Sequence, residues 1–357
     1  MIAGFVAPLV VYALVFALHV VLPARKVRGY VVGDDGEKLV YRLNGLRVLA
    51  LTLLVYYALG HFGVVAPDFL WDHRWESLAG ACVLGLLFTF SVVVGAPRTG
   101  KSIVAEIFLG RRENPQLLGG LVDAKMYLYL IGAVMLELNI LSFAAHHASI
   151  NGGTAAPSVA VYSGLFTFFV CEYLFFEEVH LYTYDFFAER VGFKLGWGCF
   201  TFYPFFYCVG LWSAARAPDP HAPTWLLVLA VIVFACGWTL SRGANLQKFA
   251  FKTRPKAKLF GVLAPETITD GEHTLLVSGF WGVSRHVNYL GEILMAVGLT
   301  LALGRPGDPW PWLYPAYYVA LLFPRERDDD RRCAAKYGPL WDEYRKRVPS
   351  RIVPFVY

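Results

Sequence analysis

The chain has 357 residues, of which 57% are hydrophobic and only 17% charged, and its mean hydropathy is +0.48. That composition excludes an ordinary soluble enzyme, and a net charge of +5 is a matter of individual loops rather than a nucleic-acid signal. The apolar residues fall in runs of about 18 to 22, the length that crosses a bilayer, not at amphipathic spacing. The expected fold class is all-α: a polytopic transmembrane helical bundle of about nine or ten spans with a cytoplasmic C-terminal helical cap.

Residues 1–22 form the first apolar run. It has no basic n-region, and Pro23-Ala-Arg-Lys-Val-Arg28 follows it, so it reads as a retained transmembrane helix rather than a signal peptide. Further spans are expected at roughly 43–65, 76–96, 126–145, 157–176, 192–213, 224–241, 288–304 and 309–323. Loops 23–42, 98–125, 241–270 and the tail hold most of the Lys and Arg, while 66–75, 146–156, 214–223 and 304–308 hold few. The positive-inside rule then puts the N-terminus outside and the C-terminus in the cytoplasm. Loop 177–191 shares the cytoplasmic side but is acidic, with Glu177, Glu178, Asp185 and Glu189 against Arg190; acidic residues weigh little in topology. The expected division is 1–145, N-terminal transmembrane helices, and 146–357, a second transmembrane region. Cys82, Cys171, Cys199, Cys208 and Cys236 lie in or beside apolar runs without a CxxC pair, as packed, reduced thiols do.

Gly95-Ala-Pro-Arg-Thr-Gly-Lys-Ser102 fits GxxxxGK[ST], the loop that cradles nucleotide phosphates between a buried strand and a helix. An apolar run of span length precedes it instead, so a basic juxtamembrane loop is the better reading. Further on, Arg242, Lys248, Lys252, Arg254, Lys256 and Lys258 form a basic segment in which Lys248 and Lys252 share one face if helical. Such a pair can clamp a phosphate, including the 2′-phosphate of a dinucleotide, or can anchor to anionic lipid headgroups. No glycine-rich Rossmann fingerprint occurs.

Two stretches then concentrate polar and aromatic groups at the membrane edge, where they are costly unless they face a cavity or a ligand. The first, Ser278-Gly-Phe-Trp-Gly-Val-Ser-Arg-His-Val-Asn-Tyr-Leu-Gly-Glu292, carries Trp281, Arg285, His286, Asn288 and Tyr289. The second, Arg325 to Tyr344, is too charged for lipid and too aromatic for a disordered tail; with Pro354-Phe-Val-Tyr357 it is expected to form an ordered cap.

Together these stretches resemble the membrane sterol reductase family: the delta-14, delta-7 and delta-24(28) enzymes and the membrane domain of lamin B receptor. The first is similar to the signature SGxWGxxRHxNYxGD. The tail is similar to HRxxRDExRCxxKYGxxWxxYxxxVPYRIxPxxY, with Arg325, Asp329, Asp330, Arg332, Cys333, Lys336-Tyr-Gly338, Trp341, Tyr344, Val348-Pro349, Arg351-Ile352 and Pro354 in register. Asn245-x-Gln-Lys248 with Lys252 resembles NxQKxxFR; Asn44-Gly45, Gly110-Arg111, Asn114-Pro115, Glu177-Glu178, Asp185 and Gly192-Phe193 match weaker motifs.

The resemblance implies reduction of a sterol carbon–carbon double bond by NADPH, delta-14 first and delta-7 or delta-24(28) as alternatives. It implies NADPH contacts at Lys248, Lys252, Leu276, Trp281, Asn288, Tyr289, Asp329, Cys333, Ala334, Ala335, Lys336, Tyr337 and Tyr344. An unactivated alkene accepts hydride only after protonation, and the implied acid pair is Asp329 with Tyr207; burial keeps such groups protonated at neutral pH. The sterol would enter from the bilayer, the other partners being membrane lipids, with no nucleic acid and no metal. The host membrane would be the endoplasmic reticulum of a eukaryote or the cytoplasmic membrane of a bacterium. Departures from the pattern are Arg327 one place early, Asp328 and Lys252 at arginine positions, Pro324 for histidine, Glu292 for aspartate, Ser350 for tyrosine and Gly210 for glutamine. Two other classes remain open: an S-adenosylmethionine-dependent membrane methyltransferase, which shares an Arg-His-x-x-Tyr-x-Gly element but has no phosphate for Lys248 and Lys252 to hold, and a non-catalytic sterol-binding protein.

Overall fold

The computed structural model describes residues 1–33, 36–256, 258, 261–262 and 264–357, in two compact units, Met1–His221 and Ala222–Tyr357. The chain is a multi-pass helical membrane protein. Among the described residues five helices are long and apolar enough to span, and Gly45–His61 and Val287–Ala302 are shorter apolar helices.

The first unit contains α1 (Ile2–Val21), the antiparallel ribbon β1 (Arg25–Val32) and β2 (Lys38–Leu43), α2 (Gly45–His61), α3 (Arg74–Val94), α4 (Ala124–Ile150) and α5 (Pro157–Phe175). Helix α4 is its axis, since most of its apolar window is buried. Close approach to α4 is made by the 198–214 segment, where the Tyr203 ring lies so near Gly132 that a Cβ there would sit 2.3 Å from it.

That segment is not the continuous span expected over 192–213. It breaks into a π-helical turn at Gly198–Phe202 and short helices at Tyr203–Phe206 and Val209–Ala214. Pro204 cannot donate to the ladder, and the Phe200 carbonyl four residues back accepts from the Tyr12 phenol at 2.5 Å instead, while Asn139 of α4 donates to the Pro204 carbonyl at 2.9 Å.

Three loops expected on one side meet in this unit. Arg25 pairs with Glu178 at 2.5 Å, Arg190 with Glu113 at 3.6 Å, and Val191 N–H donates to the Arg112 carbonyl at 2.9 Å. The GxxxxGK[ST] match follows helix α3, not a strand. Its Thr99 donates to the buried Glu106, which also holds Arg111 at 2.9 Å, so the loop is tied into a local ion pair.

The second unit contains α6 (Thr224–Thr253), the ribbon β3 (Thr267–Thr269) and β4 (Thr274–Leu276), a turn of helix at Phe280–Val283, α7 (Val287–Ala302), α8 (Pro309–Tyr337) and α9 (Pro339–Arg347). Helices α6 and α7 touch backbone to backbone: a Cβ on Gly291 would lie 2.5 Å from the Gly237 carbonyl, and one on Gly298 2.7 Å from Phe234 N. Small residues allow that approach, and Ser241 donating to Glu292 at 2.5 Å fixes the rotation.

Helices α6 and α8 outrun the spans expected at 224–241 and 309–323. At 1.5 Å per residue their 30 and 29 residues reach about 45 Å, well beyond a hydrocarbon core of about 30 Å. Their polar ends therefore leave the lipid as helix, and they carry Lys248, Lys252 and Asp329.

Candidate active site

On α6 the four-residue spacing puts Lys248 and Lys252 on one face near the helix end. On α8, Asp329, Cys333 and Lys336 recur at helical spacing along another. These faces meet: Lys248 lies within electrostatic range of Asp329, Cys333 and Lys336, and Lys252 of Lys248 and Lys336. The Lys248 ammonium sits 5.6 Å from the centre of the Trp281 ring, a cation–π contact.

Trp281 is held from both sides. Its indole N–H donates to the Ala244 carbonyl at 2.9 Å, and its own carbonyl accepts from the Tyr344 phenol at 2.9 Å. Gln247 clamps the same turn by donating to the Ser278 carbonyl at 3.0 Å and accepting from Phe280 N–H at 2.9 Å. Gly279, at φ +62°, lets the chain turn against Gln247, where a Cβ would lie 2.4 Å from the amide.

Tyr344 belongs to a buried cluster with Ile268, Leu340, Trp341 and Val348, against which Ala334 and Tyr337 pack. Leu276 is buried at the end of β4, and Ala335 is exposed on α8. Asn288 and Tyr289 open α7; Asn288 Oδ1 is buried with no hydrogen-bond partner, and the Tyr289 ring stacks on His286 at 4.8 Å. Tyr207 lies in the first unit, its ring 4.6 Å from Tyr203.

The charges divide into two kinds. Burial pushes the Asp329 carboxyl above its ordinary range despite the opposing pull of Lys248 and Arg332. Burial also pushes the Cys333 thiol up, to about 12, and the Tyr344 phenol upward, so neither ionises near neutrality. Asp330, one residue on, goes the other way: burial alone would raise it, but bonds from Arg345 and from the Trp341 indole, the latter 3.0 Å long, hold it below the usual carboxylate range. Adjacent aspartates thus have opposite tasks, Asp329 facing the lysines and Asp330 fastening α8 to α9.

Sequence reasoning placed no role on Asp330, Trp341 or Arg345, or on the strand-like run at 284–286. There, Arg285 N–H donates to the Ser350 carbonyl at 3.0 Å, His286 N–H to Arg351 at 2.8 Å and Ser284 Oγ to Arg351 at 2.8 Å. These partners lie some 65 residues apart, and no spacing rule couples them; only their presence in the two motifs marked them.

The site offers a cationic pair, an aromatic shelf, an amide oxygen unpaired among the described residues and one half-buried acid whose pKa burial raises. An open cleft of about 600 Å³ adjoins it, lined by Phe251, Lys252, Lys256, Pro265, Thr267 and Thr274.

The model of the ergosterol biosynthesis ERG4/ERG24 family matches residues 4–357. Delta(14)-sterol reductase of Arabidopsis thaliana is similar, 33% identical over 352 residues, which cover 94% of this chain and 91% of that protein. Delta(14)-sterol reductase of Methylotuvimicrobium alcaliphilum is 33% identical over 350 residues, 96% of this chain and 80% of that one. Delta(14)-sterol reductase TM7SF2 of Mus musculus is 35% identical over 354 residues, 94% and 81% of the two. A match that runs the length of the chain bears out the resemblance read from the two motifs, and the chain belongs to the ERG4/ERG24 family of ergosterol biosynthesis.

Proposed function

We propose that this protein reduces the delta-14 double bond of a sterol with NADPH, at a site on the cytoplasmic side of its membrane. That membrane is the endoplasmic reticulum of a eukaryote or the cytoplasmic membrane of a bacterium. The observation that carries the reading is the meeting of Lys248 with Asp329 beside Trp281, with Lys252 next to Lys248. The similar proteins named delta(14)-sterol reductase support the choice of double bond.

The residues fit the cofactor. Lys248 and Lys252 suit a 2′-phosphate, although lysine lacks the fork of arginine and holds it as a point charge. The cleft beside Lys252 is of the size that nucleotide-sized ligands fill. Asn288 Oδ1, buried and unpaired, suits an amide N–H. Bound there, NADPH supplies the hydride.

The chain's own part is the proton. Asp329, its pKa raised by burial, gives its proton to one alkene carbon, which leaves a tertiary cation at the other. Trp281 and Tyr289 wall the site against water, and the carboxylate left behind is stabilised by Lys248 until it is reprotonated. A role for Tyr207 in proton transfer is tested separately, by Tyr207→Phe.

The deciding experiment incubates the purified chain with 14-ene, 7-ene and 24(28)-ene sterols and NADPH and measures product mass. Saturation of the 14-ene alone is expected. Binding of S-adenosylmethionine with indifference to NADPH would overturn the proposal.

A further inference from the structure

His286 is buried to 4% exposure at the start of α7, and its Nε2 has no hydrogen-bond partner among the described residues. A buried, unpaired ring nitrogen costs free energy unless a task requires it. The ring is not loosely held: its backbone N–H is bonded to Arg351, and Tyr289 stacks on it with planes 17° apart. So fixed, Nε2 lies 3.9 Å from Oδ2 of Asp329, within electrostatic reach but outside hydrogen-bond range.

We propose that His286 is a positioning residue for the acid: the Nε2–H dipole, facing Oδ2 of Asp329 across 3.9 Å, makes Oδ2 the carbonyl oxygen and so leaves the carboxyl proton on Oδ1, from which the alkene takes it. The inference rests on the reading of Asp329 as proton donor. In the step itself the Oδ1–H bond breaks, a C–H bond forms at the alkene, and the electron pair stays on Asp329 as carboxylate. His286 keeps its own proton throughout, and a proton taken up from solvent restores the one on Asp329.

The surroundings keep the imidazole a neutral donor. Lys248 faces it from α6, Asp329 and Asp330 from α8, Arg351 from the tail, and Arg285 and Tyr289 from its own segment. Burial first, then Lys248 and Arg285, push its pKa down to about 3, so it forms no ion pair at working pH. A neutral donor fixes the carboxyl without the strong acidification that an imidazolium would impose.

The test uses acid-minus-alkaline infrared difference spectra of the purified full chain, with the Asp329 carbonyl band assigned by its loss in Asp329→Asn. In His286→Leu that band moves to higher frequency; in His286→Gln, whose amide restores an N–H, it returns towards its native place. Turnover in His286→Leu falls about tenfold, less than loss of a whole general acid, while KM for NADPH stays near native. The alkaline limb of the pH profile moves up, because losing the donor disfavours the carboxylate. A histidine with a merely structural role would lower the folded yield and leave band and limb in place, which overturns the proposal. Nitrogen-15 spectra of the native chain give a second check needing no variant: the Nε2-protonated tautomer is expected, and the Nδ1-protonated one overturns it. A band shift in protein that reduces no sterol would uphold the contact and refute the proposed function, so the two failures are distinct.

Discussion

The phenol of Tyr344 reaches from α9 to the backbone carbonyl of Trp281, 2.9 Å away, so the tail fixes the residue that shelters Lys248. Tyr344→Phe removes the donor and leaves the ring. It should destabilise the protein by about 1 kcal/mol and weaken NADPH binding, read by thermal unfolding and by titration. Unchanged values in both would show that the tail packs without holding the site.

Asp329→Asn should keep the fold and NADPH binding while turnover falls by a factor of about 10² to 10⁴, the contribution of a general acid. The wild-type carboxyl, raised by burial, contributes stability below its unfolded pKa and loses it as pH rises through the folded value. Asparagine does not titrate, so the stability gap between variant and wild type should shift in the variant's favour on the alkaline side. Unaltered turnover would remove Asp329 from the acid role.

Lys248→Ala should weaken NADPH far more than NADH, because only the former carries the extra phosphate. Equal losses would point instead to a lysine that anchors lipid headgroups.

Asp330→Asn should cost about 1–3 kcal/mol, since it weakens the charge-assisted bonds from Arg345 and Trp341. Because the folded pKa lies below the ordinary value, the native contribution is present above the unfolded pKa and fades as pH falls through the folded one. Variant and wild type should therefore converge in acid, as measured by unfolding against pH.

In the first unit, burial pushes Glu177 up to about 7, although it accepts from Gly45 N–H at 3.1 Å at the start of α2. Its stabilising effect is full below about 4.3 and is lost as pH rises through 7, a span worth on the order of 3 kcal/mol at most. Glu177→Gln should flatten that part of the stability profile. A profile that keeps its slope would assign the titration to another group.

Composition and apolar run length by themselves determined that this is a multi-pass helical membrane protein, because a lipid core accepts little else. The motifs around Trp281 and Asp329 were likewise legible, since residue identity at fixed spacing is what a motif records. Where those residues stand was decided only by the tertiary structure. A hydropathy window sees the end of apolar sequence, not the end of backbone hydrogen bonding, and residues such as Lys, Arg, Gln and Ala carry a helix onward. Helices α6 and α8 therefore continue past the lipid and bring Lys248 to Asp329. The break at Gly198–Phe202 was hidden for a related reason: the Phe200 carbonyl there accepts from the Tyr12 phenol, a partner 188 residues away that no local pattern reveals. The same holds for the opposite environments of Asp329 and Asp330, neighbours in sequence that a turn of helix sends to different surroundings.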